Sequence, residues 1–491
     1  MRSRWLWIIL VVALTLRVAL LAAVWDKPWQ LVMPDSMEYL GLARHLADDG
    51  EFARDYPKKC LSLTPHLIDN GGPPPGRYPE LYRTPGYPLM LAAARQAGKA
   101  CAARWPVGPL FKESEDTSSM SAWSHQVRIA TVVQILLDVL LVYFAFLLGR
   151  RFAGQTAGLM AAAFQAVAPV AVVSSVRILS DTPFAILLIG AVLLLIRHFD
   201  TGRWWPLLLA AVLAGAACYV RPVGLAFVVI AVGVLLVRQR RVGRAAAFVG
   251  IAVALVGPWV VRNGVAASYW GFSSFASDSI YYYSAPKTLA AAEKASLDAA
   301  HERLDAELHD RPIRAGVRLA PSQDHSPALV QCRAAMARQT LLAHPLIYAR
   351  IHLVGCTAFW MPAVYGVAEI MDISTGQRGT LEVLHTRGPL AAARHYLGSN
   401  WRLVAMLIPA GLLLAFKYAM AAVCAVRRVR WRMSGAGWLI LLTVLAFALV
   451  GGPGAIPRYR VPVEPLLSAA AAAGLIWSDR ALKRRRAAKA S

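Results

Sequence analysis

The stretch WLWIILVVALTLRVALLAAV, residues 5–24, is long and apolar enough to cross a bilayer, and about ten residues beyond it comes Pro34-Asp35-Ser36-Met37-Glu38-Tyr39. A crossing followed at once by an acidic helix start places carboxylates beside a hydrocarbon slab, which suggests chemistry at a membrane surface. Arg2 and Arg4 precede the run as they would in a signal peptide, but no Ala-x-Ala-like cleavage site and polar domain follow it. Further apolar runs follow instead, so the segment reads as a retained first helix. Those runs lie at 126–148, 155–174, 181–197, 205–220, 222–238, 246–262, 346–366, 401–426, 436–451 and 462–478. The chain is 57% hydrophobic and 16% charged over 491 residues, more apolar surface than a soluble chain of this length can hide. The expected class is an all-α polytopic membrane protein.

The formal charge of +24 is informative through its placement. Arg150-Arg151, the turn from Arg197 to Arg203, Arg238 to Arg244, Arg427 to Arg432 and the tail Lys483-Arg484-Arg485-Arg486 all abut apolar runs. The positive-inside tendency puts them, with the N-terminus, on the cytoplasmic side, where they also meet anionic lipid. Nucleic acid is not an expected partner, because such binding needs these clusters on one soluble face. The chain divides into a catalytic membrane module at 1–262 with an outer loop at 25–125, an outer segment at 263–345, further spans over 346–478 and a basic tail at 479–491. Within the first loop, Pro88 to Ala103 is apolar but short and interrupted by Arg95 and Lys99, as an interfacial helix would be. The parity of the second half does not close. If 346–366 crosses once, Arg427-Arg428 falls on the wrong side, so a segment dips and returns or a further crossing exists between 367 and 400, and the total comes to 11–13. Cys60 and Cys101 share the outer loop and read equally as a disulfide or as two thiols.

Asp35 and Glu38 are spaced as an N-cap and N3 pair, and Met37, Leu40, Ala43 and Ala47 mark one apolar stripe. Local pattern alone favours capping for Asp35, although the same carboxylate is placed to act as a general base. Arg83 precedes Thr84-Pro85-Gly86-Tyr87-Pro88, a rigid turn that fixes Arg83 and Tyr87 near the interface. Tyr219-Val220-Arg221-Pro222, Pro258-Trp259-Val260-Val261-Arg262-Asn263 and Pro457-Arg458-Tyr459-Arg460 close other outer boundaries, and Ser180-Asp181-Thr182-Pro183 opens a span. Arginines are sparse on the outer side, so Arg221, Arg262, Arg458 and Arg460 need partners. An anionic ligand and ordinary pairing with Asp35, Glu38, Asp181 or Glu464 are the two accounts, and four arginines together favour a lipid phosphate. No Gly-x-x-x-x-Gly-Lys loop points to a nucleotide. The histidines are scattered without metal-ligand spacing; His45, two turns after Glu38, is the one on the same helix, and two carboxylates alone are a weak divalent-ion signal. No cofactor is specified.

In their order along the chain these motifs resemble the polyprenyl-phosphate-sugar-dependent glycosyltransferases of the C-type membrane fold (GT-C), which include bacterial relatives of the protein mannosyltransferases and of the lipid A aminoarabinose transferase. The likeness rests on Asp35-Ser36-Met37-Glu38-Tyr39-Leu40, Gly50-Glu51-Phe52, Arg83 to Pro88, Ser180 to Phe184, Arg221-Pro222, Pro258-Trp259 with Arg262-Asn263, and Pro457 to Pro462 with Glu464. It implies a helical bundle with amphipathic helices in the first periplasmic loop, in the bacterial inner membrane. It further implies inverting transfer of a sugar from a polyprenyl-phosphate donor to a lipid, glycan or protein acceptor on the outer face. Asp35 would be the base, with Glu38 or Glu80 as a second acid. Arg83, Tyr87, Arg221, Arg262, Arg458, Tyr459 and Arg460 would surround the donor phosphate. The competing class is a flippase or transporter of a lipid-linked sugar, for which Arg128, Asp138 and Lys417, in or near spans, are the relevant residues.

Overall fold

The computed structural model describes residues 2–55, 77–104, 117–237, 240–314, 327–363, 365–371, 373, 380–397, 400–430 and 434–490, and Cys60 lies outside them. Helix α1 (Arg2–Ala23) enters the bundle and is followed by two helices of the first loop, α2 (Pro34–Asp48) and α3 (Gly86–Arg104), with a two-stranded antiparallel ribbon between them, β1 (Ala53–Asp55) and β2 (Arg77–Pro79). The bundle continues with α4 (Thr117–Ala153), α5 (Gln155–Ala166), α6 (Pro169–Val176), α7 (Asp181–Thr201), α8 (Trp204–Val220), α9 (Gly224–Val237) and α10 (Val242–Ala267). Five helices then pack above it: α11 (Phe275–Ser279), α12 (Ala285–Glu293), α13 (Leu297–Arg314), α14 (Pro327–Ala343) and α15 (Pro345–Cys356). After the short α16 (Tyr365–Ile370) and α17 (Thr380–Leu397), the chain returns through α18 (Trp401–Arg430), α19 (Gly435–Val450) and α20 (Glu464–Ala490).

The all-α membrane class is as expected, but the number of spanning helices is lower. Among the described residues six helices are long and apolar enough to cross, and α5 with α6, bent by 56° at the break before Pro169, makes a seventh. The apolar helices α8, α9 and α19 are shorter. The run at 346–366 does not form a span. It is the 12-residue α15, then a 3-10 turn at Thr357–Trp360, stopped by Pro362. Its C-terminal end packs on protein: α15 lies on the Gly452–Gly454 turn so closely that a Cβ on Gly355 would come within 2.5 Å of the Gly452 carbonyl oxygen, while Leu346 and Leu353 stay exposed. Without that crossing, the described residues between Ser268 and Asn400 belong to one end of the bundle and the parity closes.

The two ends differ in chemistry. At one, Arg151 pairs with Asp200 at 2.5 Å, Arg244 donates to the Gly202 carbonyl at 2.9 Å and Arg427 to that of Trp477 at 2.8 Å. This basic end gathers the turns between spans. The other end carries α2, α3 and α11 to α17. There α2 buries Ser36, Tyr39, Leu40, Leu42, Ala43 and His45, while Met37 is 57% exposed, so the apolar stripe is rotated from the expected one. Asp48 at the end of α2 accepts from Arg95 at 2.6 Å and Lys99 at 2.7 Å, which clips α3 along α2 rather than through the bilayer. Gly86 opens α3 against α8, where a Cβ would stand 2.7 Å from the Tyr219 carbonyl oxygen.

Candidate active site

Helix α2 does not use Asp35 as its cap. Its N-cap is Met33, whose N–H donates to Ser36 Oγ at 2.8 Å, and the Ser36 hydroxyl in turn donates to the Ile178 carbonyl at 2.6 Å. Ser36 thereby anchors the helix start to the turn before α7 and leaves the Asp35 carboxylate, at the second helical position, free to face outward. The capping account of Asp35 is thus replaced by one in which Ser36 does that work.

Glu80 builds the turn that faces it. One of its oxygens accepts from the backbone N–H groups of Tyr82 and Arg83, at 2.8 and 2.7 Å, and the other from Arg54 at 2.7 Å. Glu80 is 2% exposed and is occupied in shaping the loop. The product of that shaping is Arg83, whose guanidinium donates to Asp35 Oδ1 at 3.0 Å, Glu38 Oε2 at 2.7 Å and the Tyr39 hydroxyl at 3.2 Å. The rings of Tyr39 and Tyr82 lie 4.8 and 4.7 Å from it, a cation–π setting that fixes its plane.

Arg458, from the 3-10 turn Pro457–Val463, reaches the same carboxylate from the other side. It donates to Asp35 Oδ2 at 2.8 Å and lies 3.5 Å from Asp181, the first residue of α7. Asp181 is buried and also pairs with Arg221 at the end of α8. Four carboxylates, Asp35, Glu38, Glu80 and Asp181, are therefore interlocked with four guanidiniums, Arg54, Arg83, Arg221 and Arg458. Burial pushes the Asp35 carboxyl upward, but Arg83 and Arg458 more than offset it and hold it at about 2.

Beside this network opens a cavity of about 650 Å³. Arg83, Arg221 and Tyr459 meet it at one region, Tyr283, Tyr348 and His352 at others, and Val220, Leu225 and Phe447 are among its apolar lining. Asp35 is not in the lining. It stands behind the guanidiniums with its side chain 35% exposed, so the arginines separate an apolar cleft from an accessible carboxylate.

Of the residues expected from sequence, Asp35, Glu38, Arg83, Arg221, Arg458 and Tyr459 come together here. Three others do not. Tyr87 is wholly buried, with its hydroxyl donating to Gln134 at 2.7 Å. Arg262 donates to the backbone carbonyls of Glu80 and Phe52, at 2.9 and 2.8 Å, and so ties the ribbon to α10. Arg460 points into the bundle, where it meets Glu464 at 2.8 Å beside Lys417. Asp181, seen from sequence only as a counter-ion, is central, and Tyr283 was visible only as part of the run Tyr281-Tyr282-Tyr283. Burial, then the charges of Tyr459 and Asp35, push its phenol up.

His45 lies 3.1 Å from Asp49, outside this network. Among the described residues no three of His, Cys, Asp and Glu converge as a metal set, and both Asp35 oxygens are taken by guanidiniums. The charges in or near the spans are held in place: Asp138 by Arg17 at 2.5 Å, Lys417 by Glu464 and Ser468, and Arg128 by the Trp25 carbonyl at 3.0 Å.

The same architecture occurs in solved structures. The archaeal oligosaccharyltransferase AglB from Archaeoglobus fulgidus, in complex with an inhibitory peptide and a dolichol-phosphate, superposes over 96% of this chain with a TM-score of 0.50 at 14% identity. Its apo form gives the same values. The fold is that of the C-type membrane glycosyltransferases. The chain spans about half the length of that oligosaccharyltransferase, with 50% of it covered. ArnT from Cupriavidus metallidurans bound to undecaprenyl phosphate aligns over 93% of this chain and 77% of its own, at 15% identity and a TM-score of 0.36. The dolichyl-phosphate-mannose-protein mannosyltransferase family model matches residues 121–261, which covers α5 to α9 and most of α4 and α10 of the GT-C bundle. No curated protein matches the chain.

Proposed function

We propose that this protein is an inverting glycosyltransferase that moves a sugar from a polyprenyl-phosphate donor to a hydroxyl-bearing acceptor, with Asp35 as the general base. The observation that carries the reading is the position of Asp35: an accessible carboxylate whose two oxygens rest on Arg83 and Arg458, behind the guanidiniums of Arg83 and Arg221 that line an apolar cleft. A lipid phosphate has both parts that this arrangement suits, an apolar chain for the walls and an anionic head for the guanidiniums. The acceptor then approaches from the carboxylate side, opposite the leaving group, as inversion requires.

In the reaction the acceptor oxygen gives its proton to Asp35 and bonds to the anomeric carbon, while the carbon–oxygen bond to phosphate breaks and its electron pair stays on the phosphate. The leaving group gains one negative charge in that step. Arg83, Arg221 and Arg458 are placed to stabilise it, in surroundings where such pairing is stronger than in water. The network also explains how a carboxylate held at about 2 becomes a useful base. Four guanidiniums already match four carboxylates, so an arriving phosphate draws Arg83 and Arg458 toward itself and raises the basicity of Asp35. By the positive-inside tendency the basic end is cytoplasmic and the site faces outward. The intramembrane charges on which a transporter reading would depend are paired within the bundle, Asp138 with Arg17 and Lys417 with Glu464.

The test is release of polyprenyl phosphate from a panel of polyprenyl-phosphate sugars by the purified protein in lipid. Asp35→Asn is expected to lower turnover by about 10²–10⁴-fold while the protein still binds polyprenyl phosphate. A folded Asp35→Asn variant with full activity overturns the assignment.

A further inference from the structure

The cleft has a second polar region that the proposed chemistry leaves unused. Helix α15 brings Tyr348 and His352, one turn apart, to its lining. His352 Nε2 lies 2.8 Å from the Leu449 carbonyl oxygen, which can only accept, so Nε2 carries the ring proton. In the neutral ring Nδ1 is then an acceptor, and the Tyr348 hydroxyl, 3.0 Å away, donates to it. With its proton committed, the Tyr348 oxygen has only lone pairs to offer a ligand. A backbone carbonyl thus orients an imidazole, and the imidazole turns a phenol into a fixed acceptor.

The surroundings are built to hold this pair. Gly452 has φ +44°, and a Cβ there would stand 2.5 Å from the His352 ring, so the turn admits the imidazole only because it is glycine. Lys287 of α12 donates to the Pro453 carbonyl at 2.7 Å and steadies the same turn. Tyr459, beside Arg221, packs on Gly451, which places the dyad one turn of chain from the guanidinium region. A ligand filling the cleft therefore meets donors that favour negative charge in one region and a neutral acceptor in another.

Resting on the glycosyltransferase reading, we propose that Tyr348 and His352 receive a hydroxyl of the transferred sugar. The pair positions the sugar and takes no part in bond making. The experiment measures affinity of the full-length protein in nanodiscs for undecaprenyl phosphate and for the same lipid carrying a neutral hexose. Tyr348→Phe and His352→Gln are each expected to weaken binding of the hexosyl lipid by about five- to tenfold, the size of one lost hydrogen bond, and to leave the bare lipid unchanged. Unchanged hexosyl-lipid affinity in Tyr348→Phe, or an equal loss for the bare lipid, overturns this inference alone. Failure of the wild-type protein to bind bare undecaprenyl phosphate overturns the donor reading as well.

Discussion

At pH 7 the Asp35 carboxyl, held at about 2 by two guanidiniums, is a poor proton acceptor. Its ordinary value is about 3.9, so these pairings contribute to stability fully above that pH, and the contribution fades as pH falls toward 2. If a bound donor phosphate draws Arg83 and Arg458 away, the same carboxyl returns toward its ordinary range in the complex. The two kinetic parameters then part company, because kcat/KM reports the free enzyme and kcat the complex. We expect kcat/KM to show no acid limb down to about pH 4 and kcat to fall with a limb near the ordinary carboxylate value. Coincident acid limbs would rule out the handover. The residues of this network were legible because proline and arginine at span ends are costly unless used. Arg458 and Arg460 show where that legibility ends. Both sit in one 3-10 turn, and only the turn's geometry sends the first to Asp35 and the second to Glu464. Tyr87 was misplaced for a related reason: a rigid turn fixes a side chain without saying whether it faces a cleft or a core.

Among the elements, α2 and α3 determine how precisely the carboxylate and Arg83 meet. Gly86 lies against the end of α8, and its hypothetical Cβ would meet backbone at 2.7–2.9 Å, which cannot rotate away. Gly86→Ala is therefore expected to cost about 1–3 kcal/mol of stability and to lower kcat by displacing the Arg83 turn. Gly41, in the middle of α2, supplies the contrast. Nothing lies within 4 Å of its Cβ position, so Gly41→Ala is expected to be neutral or to add about 0.5–1 kcal/mol through better helix propensity. Thermal midpoints of the two variants, with turnover measured in parallel, check the pair; a harmless Gly86→Ala would mean that α3 is not held by this contact. Sequence located both helices through amphipathicity, but it misjudged which face α2 buries. Met37 looked like part of the stripe, whereas the buried face follows Tyr39, Leu40, Leu42 and Ala43, set by the Ser36 bond to Ile178.

For the whole molecule, the main difference from the sequence expectation is the segment at 346–366. Hydropathy alone does not separate a helix that faces lipid from one that faces protein. Here α15 is too short to cross, covers the turn at Gly452–Gly454 and brings Tyr348 and His352 to the wall of the cleft, so the segment serves the site end instead of a crossing. With α5 and α6 counted as one bent span and the three shorter apolar helices included, the described residues offer ten crossings. An even number returns both termini to the basic side, and it places α11 to α17 together on the other. Cysteine accessibility tests this arrangement in a background whose six native cysteines are replaced by alanine. Ser296, before α13, and Arg394, in α17, are both exposed at the site end, whereas Arg203 is exposed in the turn between α7 and α8 at the basic end. Ser296→Cys and Arg394→Cys are expected to react with an impermeant maleimide added outside the cell, and Arg203→Cys only after permeabilisation. Labelling of Arg394→Cys only after permeabilisation would restore a crossing within 346–366 and would remove α15, with Tyr348 and His352, from the outer wall of the cleft.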